Sequence, residues 1–123
     1  MRDGKAALVI LFAVVCGGAA QADLLARGAE LYRHQCALCH KPTVSYIAPV
    51  LSGLIGREAG SEDFEYSAAF RQVEFVWTPE ILDAYLHYPR QMVPGNGMVF
   101  YGLDDAAARA AIVAYVVSLG TSE

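Results

Sequence analysis

Two thiols and an imidazole stand together at Cys36-Ala37-Leu38-Cys39-His40. On one helical turn, positions i and i+3 share a face, so both sulfurs can reach the two vinyl groups along one edge of a single porphyrin. The next residue can then swing its imidazole under the ring and bind iron as a proximal ligand. For this reason Cys-x-x-Cys-His is the attachment signal of a c-type haem. The competing chemistries are a redox dithiol and half a zinc site. A closed zinc site needs a second pair of ligands, and the remaining cysteine, Cys16, sits elsewhere. A thioredoxin-like dithiol needs strand–helix–strand surroundings, which the sequence around residue 36 does not offer.

A haem iron held by His40 needs a sixth ligand or an open position. Met92, Met98, His34 and His87 are the candidates. Met98 follows Pro94-Gly95-Asn96-Gly97, tight-turn chemistry that can present a thioether from a loop. Met92 can instead fill core, as flexible methionines commonly do. His34 falls on the polar face of its helix, and His87 closes an amphipathic helix. On local grounds Met98 leads by its position alone.

The elements that must hold these groups are helices. Asp23 can cap a helix running to about Gln35, with Leu24, Leu25, Gly28, Leu31 and Tyr32 on one stripe. A glycine inside a helix costs about 1 kcal/mol relative to alanine, so Gly28 implies a second helix crossing closely there. From Lys41 to Gly60 the chain is irregular, punctuated by Pro42, Pro49, Gly53, Gly56 and Gly60. So long a stretch without periodicity suits a segment wrapped around a cofactor. A short helix is expected within Ser67–Gln72. Thr78-Pro79 opens a helix by cap and first-turn proline, and Pro89 stops it. Arg90–Gly102 reads as loop. Asp104 and Asp105 open the last helix, and Gly120 ends it. The expected fold class is all-α, three to five helices with long loops around one covalently bound haem.

The chain has 123 residues, a one-domain length. Residues 1–22 have the form of a cleaved export signal: Arg2 and Lys5, then an apolar run from Ala6 to Val15, then Ala20-Gln21-Ala22 as a small-x-small cleavage site. An uncleaved anchor is the alternative, though Ala6–Ala22 is short for a span of about 20 residues. The domain then comprises residues 23–123, with 7 basic and 12 acidic side chains and a net charge of −5. That acidity, with Lys41 the one lysine left, speaks against nucleic acid and anionic membranes as partners.

Taken together, these stretches resemble the class I cytochrome c family, in its mitochondrial-like branch. Gly28-Ala29-Glu30-Leu31-Tyr32 with Cys36–His40 is similar to the family's first helix and haem motif. Pro49-Val50-Leu51 and Gly53-Leu54-Ile55-Gly56-Arg57 are similar to its haem-wrapping loop. Phe64-Glu65-Tyr66-Ser67, Trp77, Leu82, Tyr85-Leu86 and Pro89 follow in order. Pro94 to Gly102 resembles the methionine-ligand loop, and Arg109 to Val116 the last helix. The resemblance implies haem c attached through Cys36 and Cys39, with His40 and Met98 as the iron ligands. It further implies that Pro49 orients His40, that Tyr66, Trp77 and Arg57 attend a propionate, and that Tyr85 and Asn96 sit beside the methionine sulfur. Gly28 and Tyr32 would meet the last helix around Ile112 and Tyr115.

The implied function is a periplasmic, monomeric, single-haem electron carrier with protein redox partners, and not an enzyme. A haem subunit of a dehydrogenase or oxidase complex, and a haem enzyme or gas sensor with open iron, are the alternatives. One departure bears on partners. The lysine ring of the mitochondrial proteins is missing, and Gln35, Gln91 and Gly97 stand at those positions. Complementary charge sets docking and on-rate, so a partner with an acidic docking patch would not be steered to this chain.

Overall fold

The computed structural model describes residues 10–120, with side chains from residue 17 onward. Four α-helices and one 3₁₀ turn follow in the order α1 (Ile10–Gln35), the turn (Phe70–Gln72), α2 (Pro79–His87), α3 (Pro89–Met92) and α4 (Ala106–Ser118). Among the described residues there is no strand, only one antiparallel bridge between Glu58 and Val76. The fold is all-α with long loops, as the sequence implies.

α1 begins earlier than expected. Asp23 lies inside the helix, not at its cap. Gly17 and Gly18 cost the helix about 1 kcal/mol each, but Ala19, Ala20, Gln21 and Ala22 are strong helix formers and carry it through. The segment Gly17–Asp23 is exposed throughout, and burial starts at Leu24. Arg2 and Lys5 lie outside the described residues. Among those described, no helix is long and apolar enough to cross a membrane.

α1 crosses α4 at Gly28. A Cβ built on Gly28 would collide with the backbone oxygen of Ala111 and stand 2.9 Å from the Tyr115 Cβ. The missing side chain is therefore what lets the two backbones touch. One turn later, the Tyr32 and Tyr115 rings meet at 5.0 Å. The core spreads from this crossing through Leu82, Leu86, Val93, Ile112 and Val116.

α2 starts as its sequence dictates. The Thr78 hydroxyl accepts from the Ile81 amide at 3.1 Å, and Pro79 sits in the first turn. Pro89 stops α2 but also opens the single-turn α3, where a loop was expected. A proline fixes φ for a first helical position while blocking the preceding one, so one residue does both. The Asp105 carboxylate accepts from Ala107 N and Ala108 N and caps α4. Gly120 lies just past the end of α4 with φ 109°.

Arg109 ties α4 to the rest. Its side chain is buried, and Nε donates to Asp83 Oδ1 at 3.0 Å. Its Nη1 donates to the carbonyls of Leu103 and Asp104, at 2.7 and 2.9 Å. The chain leaving the Met98 loop is thereby pinned to α2 and α4 together. His87, half-buried at the end of α2, adds a 3.3 Å contact to Asp104. His34 is exposed, with its Nε2 3.3 Å from Arg33 Nη2.

Candidate haem site

Cys36, Cys39 and His40 lie on one hydrogen-bonded turn that continues α1. Cys36 N donates to Tyr32 O at 2.8 Å, Cys39 N to Cys36 O at 3.1 Å, and His40 N to Cys36 O at 2.9 Å. Both sulfurs and the imidazole line a single cavity of about 570 Å³, within the several hundred Å³ typical of cofactor sites. Burial pushes the Cys36 thiol up to about 11, with the neighbouring Cys39 adding to the effect. Catalytic redox dithiols have a lowered thiol, and burial moves Cys36 in the opposite direction.

His40 is 8% exposed, and its Nδ1 stands 2.7 Å from the Pro49 carbonyl. A carbonyl oxygen can only accept, so Nδ1 must carry the proton, which leaves Nε2 with its lone pair free to bind a metal. Burial lowers the affinity of the ring for a second proton, against the opposing pull of the Pro49 bond. The imidazole is held neutral and in one tautomer, the state a metal requires.

Met98 lines the same cavity. The Tyr85 hydroxyl donates to its sulfur at 3.3 Å. Burial pushes the Tyr85 phenol well above its ordinary range, so it stays a neutral donor. Asn96 acts differently from expectation. Its Oδ1 accepts from Met98 N at 2.9 Å, and its Nδ2 donates to Pro89 O at 3.1 Å and Val93 O at 3.0 Å. Every one of these bonds goes to backbone, so Asn96 shapes the loop and does not address the sulfur. Met92 packs against the core instead of lining the cavity.

The polar end of the cavity is built from residues far apart in sequence. Trp77 N donates to Arg57 O at 2.9 Å and Gly56 N to Trp77 O at 2.8 Å. These two bonds set Arg57 beside Trp77, and Tyr66 lines the cavity with them. Trp77 is buried, and the Phe70 ring, absent from the sequence-based set, lies between Tyr66 at 5.9 Å and Tyr85 at 5.7 Å. Arg57 is engaged by Glu62, a partner the sequence reading missed, at 2.9 Å. Burial raises the Tyr66 phenol, opposed by its bond to the Glu62 backbone and by the charge of Arg57.

The exposed part of the lining is Gln35, Ile47, Glu65, Gly97 and Val99. Ile47 is 66% and Val99 71% exposed. Glu65 is the sole charged member of this rim among the described residues.

The residues present fit a haem. Two thiols for covalent attachment, a neutral imidazole and a thioether are borderline-to-soft donors suited to haem iron, and the rest of the lining is mostly apolar and aromatic.

One prediction concerns the sulfur. Were Met98 to hold the iron, the Tyr85 hydrogen bond to its sulfur would withdraw electron density and make the thioether a poorer donor to the oxidised metal. Replacing Tyr85 by phenylalanine is expected to lower the reduction potential by a few tens of millivolts. That follows from a net bond of about 1 kcal/mol and about 59 mV per tenfold for a one-electron couple. Potentiometric titration of both proteins checks it.

Known proteins carry the same pattern. The family model described as Cytochrome c matches residues 25–120. Cytochrome c 2.1 of Caenorhabditis elegans is 40% identical over 93 residues, covering 73% of this chain and 84% of that one. Cytochrome c2 of Blastochloris viridis is 34% identical over 120 residues, covering 94% of this chain and 92% of its own. Among solved structures, cytochrome cH from Methylobacterium extorquens superposes with a TM-score of 0.72 at 29% identity, covering 76% of this chain and 97% of that one. A His–Met-lined cavity beside a Cys-x-x-Cys-His turn, within a match from the first helix to the last, leaves one assignment: the chain belongs to the cytochrome c family of single-haem electron-transfer proteins, with haem c as its cofactor.

Proposed function

We propose that this chain is an exported, monomeric electron carrier of the periplasm, with His40 and Met98 as its two iron ligands. The observation that carries the reading is that one cavity brings together a buried, tautomer-fixed His40 and a Met98 whose sulfur is already hydrogen-bonded. Haem supplies a one-electron couple at its iron, and His/Met ligation favours the reduced form. The chain's own residues do the rest. Cys36 and Cys39 anchor the group, Pro49 holds His40, and Asn96 and Tyr85 hold Met98. Arg57, Tyr66 and Trp77 receive a propionate at the polar end. With His40 and Met98 both holding the iron, no position would be left open to a substrate, which supports a carrier over an enzyme.

The leader is residues 1–22. Cutting before Asp23 removes no buried side chain among the described residues, since packing begins at Leu24. Electrons pass at the rim formed by Gln35, Ile47, Gly97 and Val99, with Glu65 its single charge among the described residues. With so little charge there, the redox partners dock mainly through apolar contact, and nucleic acid is not among them.

The test is made on protein matured in a host that attaches haem. The mature chain is expected to begin at Asp23 and to weigh one haem more than its sequence. The ferric form should show the weak near-infrared sulfur-to-iron band, and the reduced form should not bind carbon monoxide at neutral pH. Rapid carbon monoxide binding, or colourless protein, would overturn the carrier reading. Migration of the native protein as part of a larger assembly would instead make it a complex subunit.

A further inference from the structure

We propose that Glu62 is a positioning residue that lowers the reduction potential by holding Arg57, so that a haem carboxylate must share its guanidinium with a protein carboxylate. The inference rests on the haem reading of the cavity given above. Haem carries two carboxylates as part of its own structure. Arg57 is the only arginine or lysine lining the cavity among the described residues, so it is the one fixed cation available to them.

That guanidinium is already committed. Its Nη1 donates to Glu62 Oε2 at 2.9 Å and has a longer contact of 3.4 Å to Ser52 O. Its Nη2 donates to Val50 O at 2.8 Å. The pair is shielded from water, with side-chain exposures of 12% for Arg57 and 31% for Glu62. Glu62 does not line the cavity itself. It reaches the cavity through two of its walls, the Arg57 side chain and the Tyr66 phenol that bonds to its backbone.

The electrostatic consequence has one sign. An oxidised site carries one more positive charge than a reduced one, so an uncompensated negative field favours oxidation. Glu62 cancels part of the Arg57 charge that would otherwise offset the haem carboxylate. Removing the Glu62 charge weakens the negative field, and removing the whole side chain also frees Nη1. Both effects favour the reduced form, and partial burial keeps them from being screened away.

The experiment compares the holoprotein with Glu62→Gln, which keeps an acceptor oxygen for Arg57 and loses only the charge. The equilibrium constant for one-electron reduction is expected to rise about three- to tenfold, about 30 to 60 mV at 59 mV per tenfold. Glu65→Gln removes the same charge from an exposed position on the rim and is expected to move the constant less than twofold. Glu62→Ala is a second charge-free variant, expected to shift the potential in the same direction as Glu62→Gln. A Glu62→Gln reduction constant within twofold of the parent's overturns the proposal, and so does an equal shift in Glu65→Gln. Lost thermal stability with an unmoved potential marks a merely structural pair and overturns it too. The parent's own spectrum separates the two levels. If the parent shows the sulfur-to-iron band and excludes carbon monoxide, a null result counts against Glu62 alone. If it does not, the haem-ligand reading is what fails.

Discussion

Replacing Met98 by alanine is expected to lower the reduction potential by about 0.2 to 0.3 V, a large part of the roughly 0.8 V range that axial ligation spans in haem proteins. The thioether is a soft donor that favours reduced iron. Alanine offers no donor, and the vacated space lets a water or hydroxide approach, which favours the oxidised form. The rest of the methionine site remains. Asn96 still grips Pro89 O and Val93 O, so the loop keeps its course. The Tyr85 hydroxyl, which burial keeps protonated, loses its sulfur partner and becomes a donor for whatever enters. Carbon monoxide should therefore bind the reduced variant readily. Potentiometric titration and a carbon monoxide difference spectrum read both effects. An unchanged potential would reject Met98 as a ligand.

The second large effect is on stability. Gly28→Ala is expected to destabilise the holoprotein by about 3 kcal/mol, at the upper end of overpacking costs, and to lower the melting temperature by about 15 °C for a domain of this size. Alanine would gain up to about 1 kcal/mol in helix propensity. That gain is outweighed, because the new methyl meets the Ala111 backbone oxygen, with the Ala111 carbonyl carbon at 2.7 Å. Backbone cannot rotate aside as a side chain can. α1 and α4 must separate, and the Tyr32–Tyr115 contact at 5.0 Å opens with them. Thermal unfolding followed by circular dichroism measures the loss. The potential should move little, since Gly28 is outside the cavity lining.

Local chemistry made much of this architecture readable in advance. Thr78-Pro79 and Asp105 act through bonds within three residues, and both appear where expected. Gly28 was legible for another reason: a residue that weakens its own helix needs a neighbour to justify it, and α4 is that neighbour. The attachment turn was legible because covalent chemistry dictates its spacing. The errors arose where one residue type serves opposite ends of a helix, or where partners are chosen by tertiary placement. Asp23 looked like a cap, yet the residues before it favour helix strongly enough to continue through it. Pro89 was read as an end and is also a beginning. Asn96 was expected at the sulfur, but a short amide following Val93 finds backbone groups sooner. The Arg57–Glu62 pair could not be read from spacing. It depends on the two bonds joining Gly56 and Arg57 to Trp77, a contact no local pattern announces.

The first and last helices of the described residues cross at Gly28, and the residues that complete the contact, Ala111 and Tyr115, belong to α4. A polypeptide emerging from a ribosome or an export channel cannot make that contact until α4 is out. Until then the attachment turn lacks its final packing partner, and both thiols stay reachable. Assembly order is thus written into the topology: α1 and the turn that continues it emerge first, and the arrival of α4 completes their packing.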